Sequence, residues 1–167
     1  MITTITNPLY KVVSKHPVAE VWLNTSSNQY SLHAVVAFKK GEVITNFYAG
    51  TTQPVASYLT IQTATGKHIT LLPEFLQYTN HSCSPNVFFD TATMQLICIS
   101  DLRSGDELRF FYPSTEWEMS QPFICNCGSD DCLQLINGAS FLSKATLKKY
   151  RLNDFILQQI KQKEEPL

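Results

Sequence analysis

Charge is scarce in this 167-residue sequence. Only 16% of its residues are charged and the formal net charge is −1, so no global field points to nucleic acid or to an anionic membrane. Long apolar runs are missing as well; none approaches the ~20 residues that a bilayer-spanning helix needs. The opening, Met1-Ile2-Thr3-Thr4-Ile5-Thr6-Asn7-Pro8, lacks the basic and apolar regions of a secretory signal. No internal repeat and no low-complexity tract interrupts the chain. What is present is a hydrophobic fraction of 44%, enough for one globular core that buries roughly two-thirds of the unfolded-chain surface. Five cysteines without a secretion signal predict an intracellular, reducing setting, where clustered thiols read as metal ligands before disulfides.

The few charges are unevenly spread. Seven acids against two bases lie between Asp101 and Asp131, and six bases against three acids follow from Lys144 to Leu167. The acidic block, which includes Glu107 and Glu116, reads as an attractor for a basic peptide or as a solvated face.

Most of the chain has the pattern of short strands. Leu9–Val13 and Val18–Leu23 are β-branched and aromatic, and Asn24-Thr25-Ser26-Ser27-Asn28 is a turn signal. Further strands are expected over Ser31–Phe38, Glu42–Tyr48, Met94–Ile99 and Glu107–Tyr112, and a hairpin over Tyr58–Leu72 that turns at Ala64-Thr65-Gly66. Pro73–Tyr78 suits a short helical turn. Pro113–Leu133 reads as loop. Helix is expected only at the end, with Ser143 capping Lys144–Arg151 and Asn153 capping a segment from Asp154. There Leu152, Phe155, Ile156 and Ile160 form a stripe suited to docking on the same domain; Lys161–Leu167 is expected to fray.

Two clusters carry the chemistry. Asn80-His81-Ser82-Cys83-Ser84-Pro85-Asn86 packs a carboxamide, an imidazole and a thiol into four residues. It reads either as a polar turn or as a buried crossing that satisfies its own polar groups, since Asn side chains can bond backbone and Pro85 biases Ser84 away from helix. Cys125-Asn126-Cys127-Gly128-Ser129-Asp130-Asp131-Cys132 has the form C-x-C-x4-C. Three thiols on a tight loop suit Zn²⁺, which takes four ligands in structural sites. Cys98 sits in a strand and reads as a small buried hydrophobe, whereas Cys83, in the irregular stretch, is placed to be the fourth ligand. Four thiolates leave no open position, so such a zinc is structural. His33 and His68 lie in strand patterns and read as partly buried polar residues rather than ligands; His16 reads as surface. No paired carboxylates or nucleophilic cysteine stand out.

Taken with Gly105-Asp106-Glu107-Leu108-Arg109-Phe110-Phe111-Tyr112, these clusters resemble, from about Val18 to Leu133, the SET-domain protein lysine methyltransferases that carry a post-SET zinc motif. The resemblance implies a mainly β fold of small, twisted antiparallel sheets with a knot-like crossing, a zinc-bound post-SET loop and C-terminal helices. It divides the chain into a SET domain over 1–112, a zinc loop over 113–136 and a helical extension over 137–167. It also implies S-adenosylmethionine as methyl donor and a protein or peptide lysine, histone or not, as acceptor, with no membrane and no direct nucleic-acid partner.

Residue by residue, the resemblance makes Tyr112 the catalytic tyrosine and Tyr48 a second tyrosine of the lysine channel. Phe110, two before Tyr112, leaves room for higher methylation states, and Trp117 either closes the channel or caps the core. Ser31, Leu32, His33, Asn80, His81 and Tyr112 fall to the cofactor, and Cys83, Cys125, Cys127 and Cys132 to zinc. The residue types suit methyl transfer, which needs alignment, exclusion of water and a neutral amine, and an aromatic channel disfavours the ammonium by desolvation. One departure stands out. Where the family carries G-x-G this chain has Gln29-Tyr30-Ser31, and the side chains crowd a place where backbone should approach the cofactor. The segment from Gly50 to Pro73 is also reduced to one hairpin. Both departures support a second reading, a catalytically silent SET-like module that binds protein partners and keeps the structural zinc.

Overall fold

β-Branched and aromatic residues in short alternating runs, cut by Gly, Pro and Asn, build many small sheets rather than one large one. The computed structural model describes residues 9–164; residues 1–8 and 165–167, the last part of the end expected to fray, lie outside the described residues. β1 (Tyr10–Lys15), β2 (Ala19–Asn24) and β3 (Gln29–Ala34) form an antiparallel meander. The turn between β2 and β3 is closed by Asn24, whose Oδ1 accepts the N–H groups of Ser26 and Ser27.

β4 (Val43–Asn46) pairs with β10 (Gln95–Cys98), which pairs with β9 (Val87–Asp90). β5 (Tyr48–Gln53), β6 (Thr60–Ala64) and β7 (Lys67–Leu72) make a third antiparallel sheet with β7 central. The hairpin of β6 and β7 is the one the sequence predicts, and Glu74–Tyr78 forms the expected helical turn as one 3₁₀ segment. β8 (Asn80–His81) runs parallel to β11 (Arg109–Phe110), and β12 (Phe123–Ile124) pairs antiparallel with β13 (Leu135–Ile136). α1 (Lys144–Leu147) and α2 (Asp154–Glu164) follow.

Three strand expectations change, each for a packing reason. The run Glu42–Tyr48 breaks at Phe47, which is fully buried edge-on to Phe89 and hands the chain from one sheet to the next. β3 stops at Ala34, because from there the backbone pairs with the 102–106 segment: Ala34 N–H donates to Asp106 O and Gly105 N–H to Ala34 O. The run Glu107–Tyr112 keeps only two strand residues, and Tyr112 opens a 3₁₀ turn.

At the C-terminal end Ser143 caps as expected, its Oγ accepting Thr146 N–H, but α1 covers four residues only and does not reach Arg151. α2 starts where expected. Its stripe closes a small second core, in which Ile156, Leu147 and Ala139 are buried and Trp117, Leu152, Phe155 and Ile160 pack around them. The Asn153 side chain has a different task from capping. Its Oδ1 accepts from Thr91 N–H and Oγ1, and its Nδ2 donates to Phe89 O and Ser114 O, latching α2 to β9 and to the turn after Tyr112.

The stretch Asn80–Asn86 lies along the 107–112 segment, which satisfies many of its polar groups. Asn86 Oδ1 accepts Arg109 N–H at 2.8 Å and its Nδ2 donates to Glu107 O at 2.8 Å. Asn86 N–H and Ser82 N–H donate to Arg109 O and Phe110 O. Buried polar backbone is stable only when so paired, and this stretch holds the residues that lead into Tyr112.

Candidate active site

Alternation along the 110–112 segment determines what faces what. Phe110 is buried edge-on to Phe89, with ring centroids 4.8 Å apart. Phe111 points the other way and stacks on Tyr150 at 3.6 Å and 6°. Tyr112 then lies between two cavities. The smaller, about 320 Å³, has Ile61, Leu71, Phe110 and Glu116 in its wall. The larger, about 640 Å³, has Asn80, His81, Glu107 and Arg109 in its wall. Tyr112, Phe123, Tyr58, Leu59 and Gln77 line both, so the two spaces meet at a neck of mainly aromatic and amide side chains.

The neck is held from behind by His81. Its Nδ1 accepts Tyr112 N–H at 3.1 Å, which puts the ring proton on Nε2, 3.4 Å from Cys83 Sγ. Burial pushes the imidazole down to about 4, so it is a neutral acceptor at neutral pH. The Tyr112 hydroxyl donates to Thr79 O at a long 3.4 Å. Burial, and then the Glu107 and Glu116 carboxylates, hold its phenol well above the usual tyrosine range. It is a donor and an orienting group, not a base.

Of the residues assigned from sequence, the structure gathers Tyr112, Phe110, Asn80 and His81 around these cavities. It does not bring Ser31, Leu32 and His33 there. β3 pairs with β2 along its whole length, so Leu32 goes fully into the core. His33 stacks on Trp22 at 4.0 Å and bonds Gly105 O through Nδ1 and Ser31 Oγ through Nε2. The start of the same strand, Gln29 and Tyr30, lines the larger cavity instead. Asn80 Nδ2 is already engaged, donating to Tyr30 O at 2.9 Å and Glu107 Oε1 at 3.0 Å.

Tyr48 is 61% exposed and lines neither cavity. Side chains alternate along extended chain, so once Phe47 turns into the core Tyr48 must face out. Trp117 also lies outside both cavities. Of its two sequence roles the structure gives the capping one, with the ring against the second core and Lys163 Nζ 6.0 Å from its centroid.

Several cavity residues escaped the sequence reading. Arg109 Nε is buried without a hydrogen bond, 3.9 Å from Glu107 Oε2 in a long ion pair. Glu116 is buried beside the smaller cavity rather than part of a solvated acidic face. Burial pushes its carboxyl up to about 7 against the hydrogen bonds it accepts. An acid two residues before Glu118 and nine after Glu107 in a loop carries no periodic signal, so only burial distinguishes it.

The thiols converge as the spacing predicts. The Sγ atoms of Cys83, Cys125, Cys127 and Cys132 all lie within 4.8 Å of one another and could hold a metal ion. Cys98 is apart, fully buried, with its thiol donating to Ser100 O. The loop that carries three of the thiols turns at Gly128, φ +75°, in the left-handed region that glycine tolerates. Leu133 N–H donates to Cys83 Sγ at 3.4 Å, and Tyr150 Oη donates to Cys83 O at 2.9 Å. Burial raises the Cys83 and Cys125 thiols. At Cys127 the same burial is outweighed by hydrogen bonds from the Cys83 and Ser129 backbone and the Cys125 and Cys132 thiols, which lower it. Ile124, Cys125, Asn126 and Cys127 form one wall of the larger cavity, so the thiol loop and the cavity are one structure.

No protein-family model matches the chain. Among characterised proteins, the methyltransferase flvH of Aspergillus flavus is 38% identical over 151 residues, which is 89% of this chain and 84% of flvH. A histone-lysine N-methyltransferase of Chaetomium globosum, specific for H3 lysine 36, is 30% identical over 76 residues. That match takes in 42% of this chain and 8% of the much longer fungal protein. With identity of 38% sustained across most of both partners, the chain belongs to the family of the methyltransferase flvH.

Proposed function

We propose that this protein is a SET-domain methyltransferase that transfers a methyl group from S-adenosylmethionine to the ε-amine of a protein lysine. The observation that carries the reading is the pair of cavities meeting at Tyr112. A donor on one side and an acceptor on the other could react only through that neck, which aligns the atoms for direct displacement and excludes water.

The larger cavity fits the donor chemically. Its buried Arg109 Nε, without a hydrogen bond and only in a long ion pair with Glu107, suits a carboxylate, the Glu107 carboxylate suits an ammonium, and Tyr30 and Phe123 offer ring faces for a base. Bound there, S-adenosylmethionine supplies a methyl group made electrophilic by its sulfonium. The protein's own work is positional. His81 fixes the Tyr112 backbone, Tyr112 offers its hydroxyl as a donor at the neck, and Phe110 and Leu71 desolvate whatever enters the smaller cavity. The acceptor must be a neutral amine, and an apolar pocket disfavours the ammonium of a lysine whose reference pKa is about 10.4.

The four thiols fit one structural zinc. Sulfurs at about 2.3 Å from a tetrahedral Zn²⁺ stand about 3.8 Å apart, which the observed cluster, spanning up to 4.8 Å, approaches closely. Cys83 and the three loop cysteines would hold it, and the Leu133 N–H already aimed at Cys83 Sγ would serve as an outer-shell donor. On this reading residues up to Tyr112 form the SET domain, the following loop to residue 136 is the post-SET zinc segment, and the remainder is an extension.

A second reading, a silent protein-binding module, draws on Gln29 and Tyr30 in the wall of the larger cavity, where glycines would leave space. Calorimetric titration with S-adenosylmethionine separates the two. Micromolar binding is expected, and no heat at millimolar donor would sink the enzyme reading. Transfer of labelled methyl to a mixed protein substrate should follow, and Tyr112→Phe should cut it about 100-fold or more with donor binding kept. Unchanged transfer in that variant would remove Tyr112 from the reaction.

A further inference from the structure

The wall of the smaller cavity contains a carboxylate that the methyl-transfer reading does not use. Glu116 is 6% exposed. Its Oε1 accepts two hydrogen bonds, from Gln62 N–H at 3.0 Å and from Thr115 Oγ1 at 3.1 Å. Oε2 accepts none, and no lysine or arginine among the described residues forms an ion pair with Glu116. The residue is held firmly from all sides. Its N–H donates to Tyr112 O at 3.0 Å, its carbonyl accepts Ala139 N–H at 2.9 Å, and Gln62 Oε1 accepts the N–H of the next residue, Trp117, at 3.1 Å.

A fixed and buried carboxylate with one oxygen spare and no counter-ion, in the wall of a cavity where the other lining side chains are apolar or uncharged, is costly unless something else brings the positive charge. The nearby titratable groups do not. Tyr112, on the same turn, is held as a neutral phenol by burial, and His68 of β7, paired with Gln62 of β6, is lowered by burial and stays neutral. The cation must come with the ligand.

We propose that Glu116 receives the acceptor amine: its Oε2 pairs with the incoming ammonium in the smaller cavity and takes the proton that the amine must lose before alkylation. The inference rests on reading that cavity as the acceptor site. An N–H bond of the ammonium breaks, the proton bonds to Oε2, and the electron pair stays on nitrogen. That pair then forms the N–C bond as the methyl–sulfur bond breaks with its electrons left on sulfur. The carboxyl returns its proton to water when product leaves. The transfer is helped by the site itself, because an amine beside a carboxylic acid holds no charge in a poorly solvated space, whereas an ammonium beside a carboxylate holds two. The elevated affinity of Glu116 for a proton, to about 7, is what a base working near neutral pH requires.

Glu116→Gln is the informative variant, because an amide oxygen can still accept from Gln62 and Thr115 and so keeps the structural bracket. Two measurements test the assignment. In the first, n-butylammonium chloride is titrated into the wild type and the variant at about pH 7.5 and followed by NMR. The variant should bind at least about tenfold more weakly, and equal binding would overturn the proposal. This arm needs no methyl transfer, so it judges the amine site even if the donor titration above fails. The second compares transfer rates across pH. The variant should be slower by about 100-fold near pH 7.5, and the deficit should shrink towards pH ~10, where water already holds much of the lysine as free amine. A ratio that stays constant with pH, or lies near one throughout, would reduce Glu116 to a bracket between β6 and the neck.

Discussion

The neck and the thiol loop share a wall of the same cavity, yet they are held together by different physics. Around Tyr112 the structure is aromatic, with Phe89 edge-on to Phe110, Tyr150 stacked on Phe111, and His81 bonded to the backbone. Burial of such rings stabilises by a few kcal/mol each, with specific ring contacts adding to it. The loop from Phe123 to Ile136 has little of this. Its ladder is two residues long, Ile124 and Leu135 are exposed, and Ile136 is its one fully buried apolar side chain. Four thiols, with half-buried Met119, Phe123 and Leu133 around them, supply the rest of its interior. A region built on apolar area is stable by itself, whereas one built on ligand atoms depends on what they bind. Cys83 belongs to both, since it lies two residues after His81 and among the thiols.

The sharpest way to break the comparison is to take away the proposed metal. Chelation, or Cys127→Ser, should unfold the 123–136 loop, at a cost on the order of several kcal/mol for that segment, and leave the sheets intact. Hydrogen exchange should then show fast amides at Cys125 and Leu133 but protection kept at Leu96 and Leu108. Donor affinity should fall by about tenfold or more, because the loop is a wall of the larger cavity. Elemental analysis should find about one zinc per chain; protection of the loop unchanged by chelator would mean that the thiols do not hold it.

A smaller effect sharpens the other side. The Glu116 carboxyl is raised by burial to about 7 from 4.5, so the unfolded chain gives up its proton first as pH rises. Stability is therefore lost between about pH 4.5 and 7 and stays lost above, by roughly 3 kcal/mol. Glu116→Gln should accordingly raise the melting temperature at pH 8 and leave it nearly unchanged at pH 4. A variant destabilised at both would show that the charge is compensated in the fold and not waiting for a ligand. Functional groups held against stability are the expected exception in an otherwise consistent core.

The smallest expected effect is at Tyr48. Exposed and outside both cavities, it should tolerate Phe with less than about 0.5 kcal/mol lost and a transfer rate within twofold. A large loss of rate there would place the acceptor path along β5 instead of through the Glu116 side.

What the sequence determined unaided is local. The hairpin of β6 and β7, the turn at Asn24, the Ser143 cap, the apolar stripe of α2 and the C-x-C-x4-C loop all depend on neighbours within a few residues. That Cys83 joins the three loop thiols was also legible, because only one other thiol competed and it sat in a strand. The failures are all non-local. Whether Tyr48 faces in or out depended on Phe47 finding Phe89, forty-two residues on, and Asn153 became a latch because β9 and the turn after Tyr112 came within its reach. Leu32 and His33 went to the core and to Trp22 because β3 pairs fully with β2. Most of all, no spacing in Thr115-Glu116-Trp117 says that this acid alone is removed from water. Solvation is a property of the assembled packing, not of the neighbours in the chain, so only the tertiary structure could turn one member of an acidic block into a buried carboxylate with an oxygen to spare.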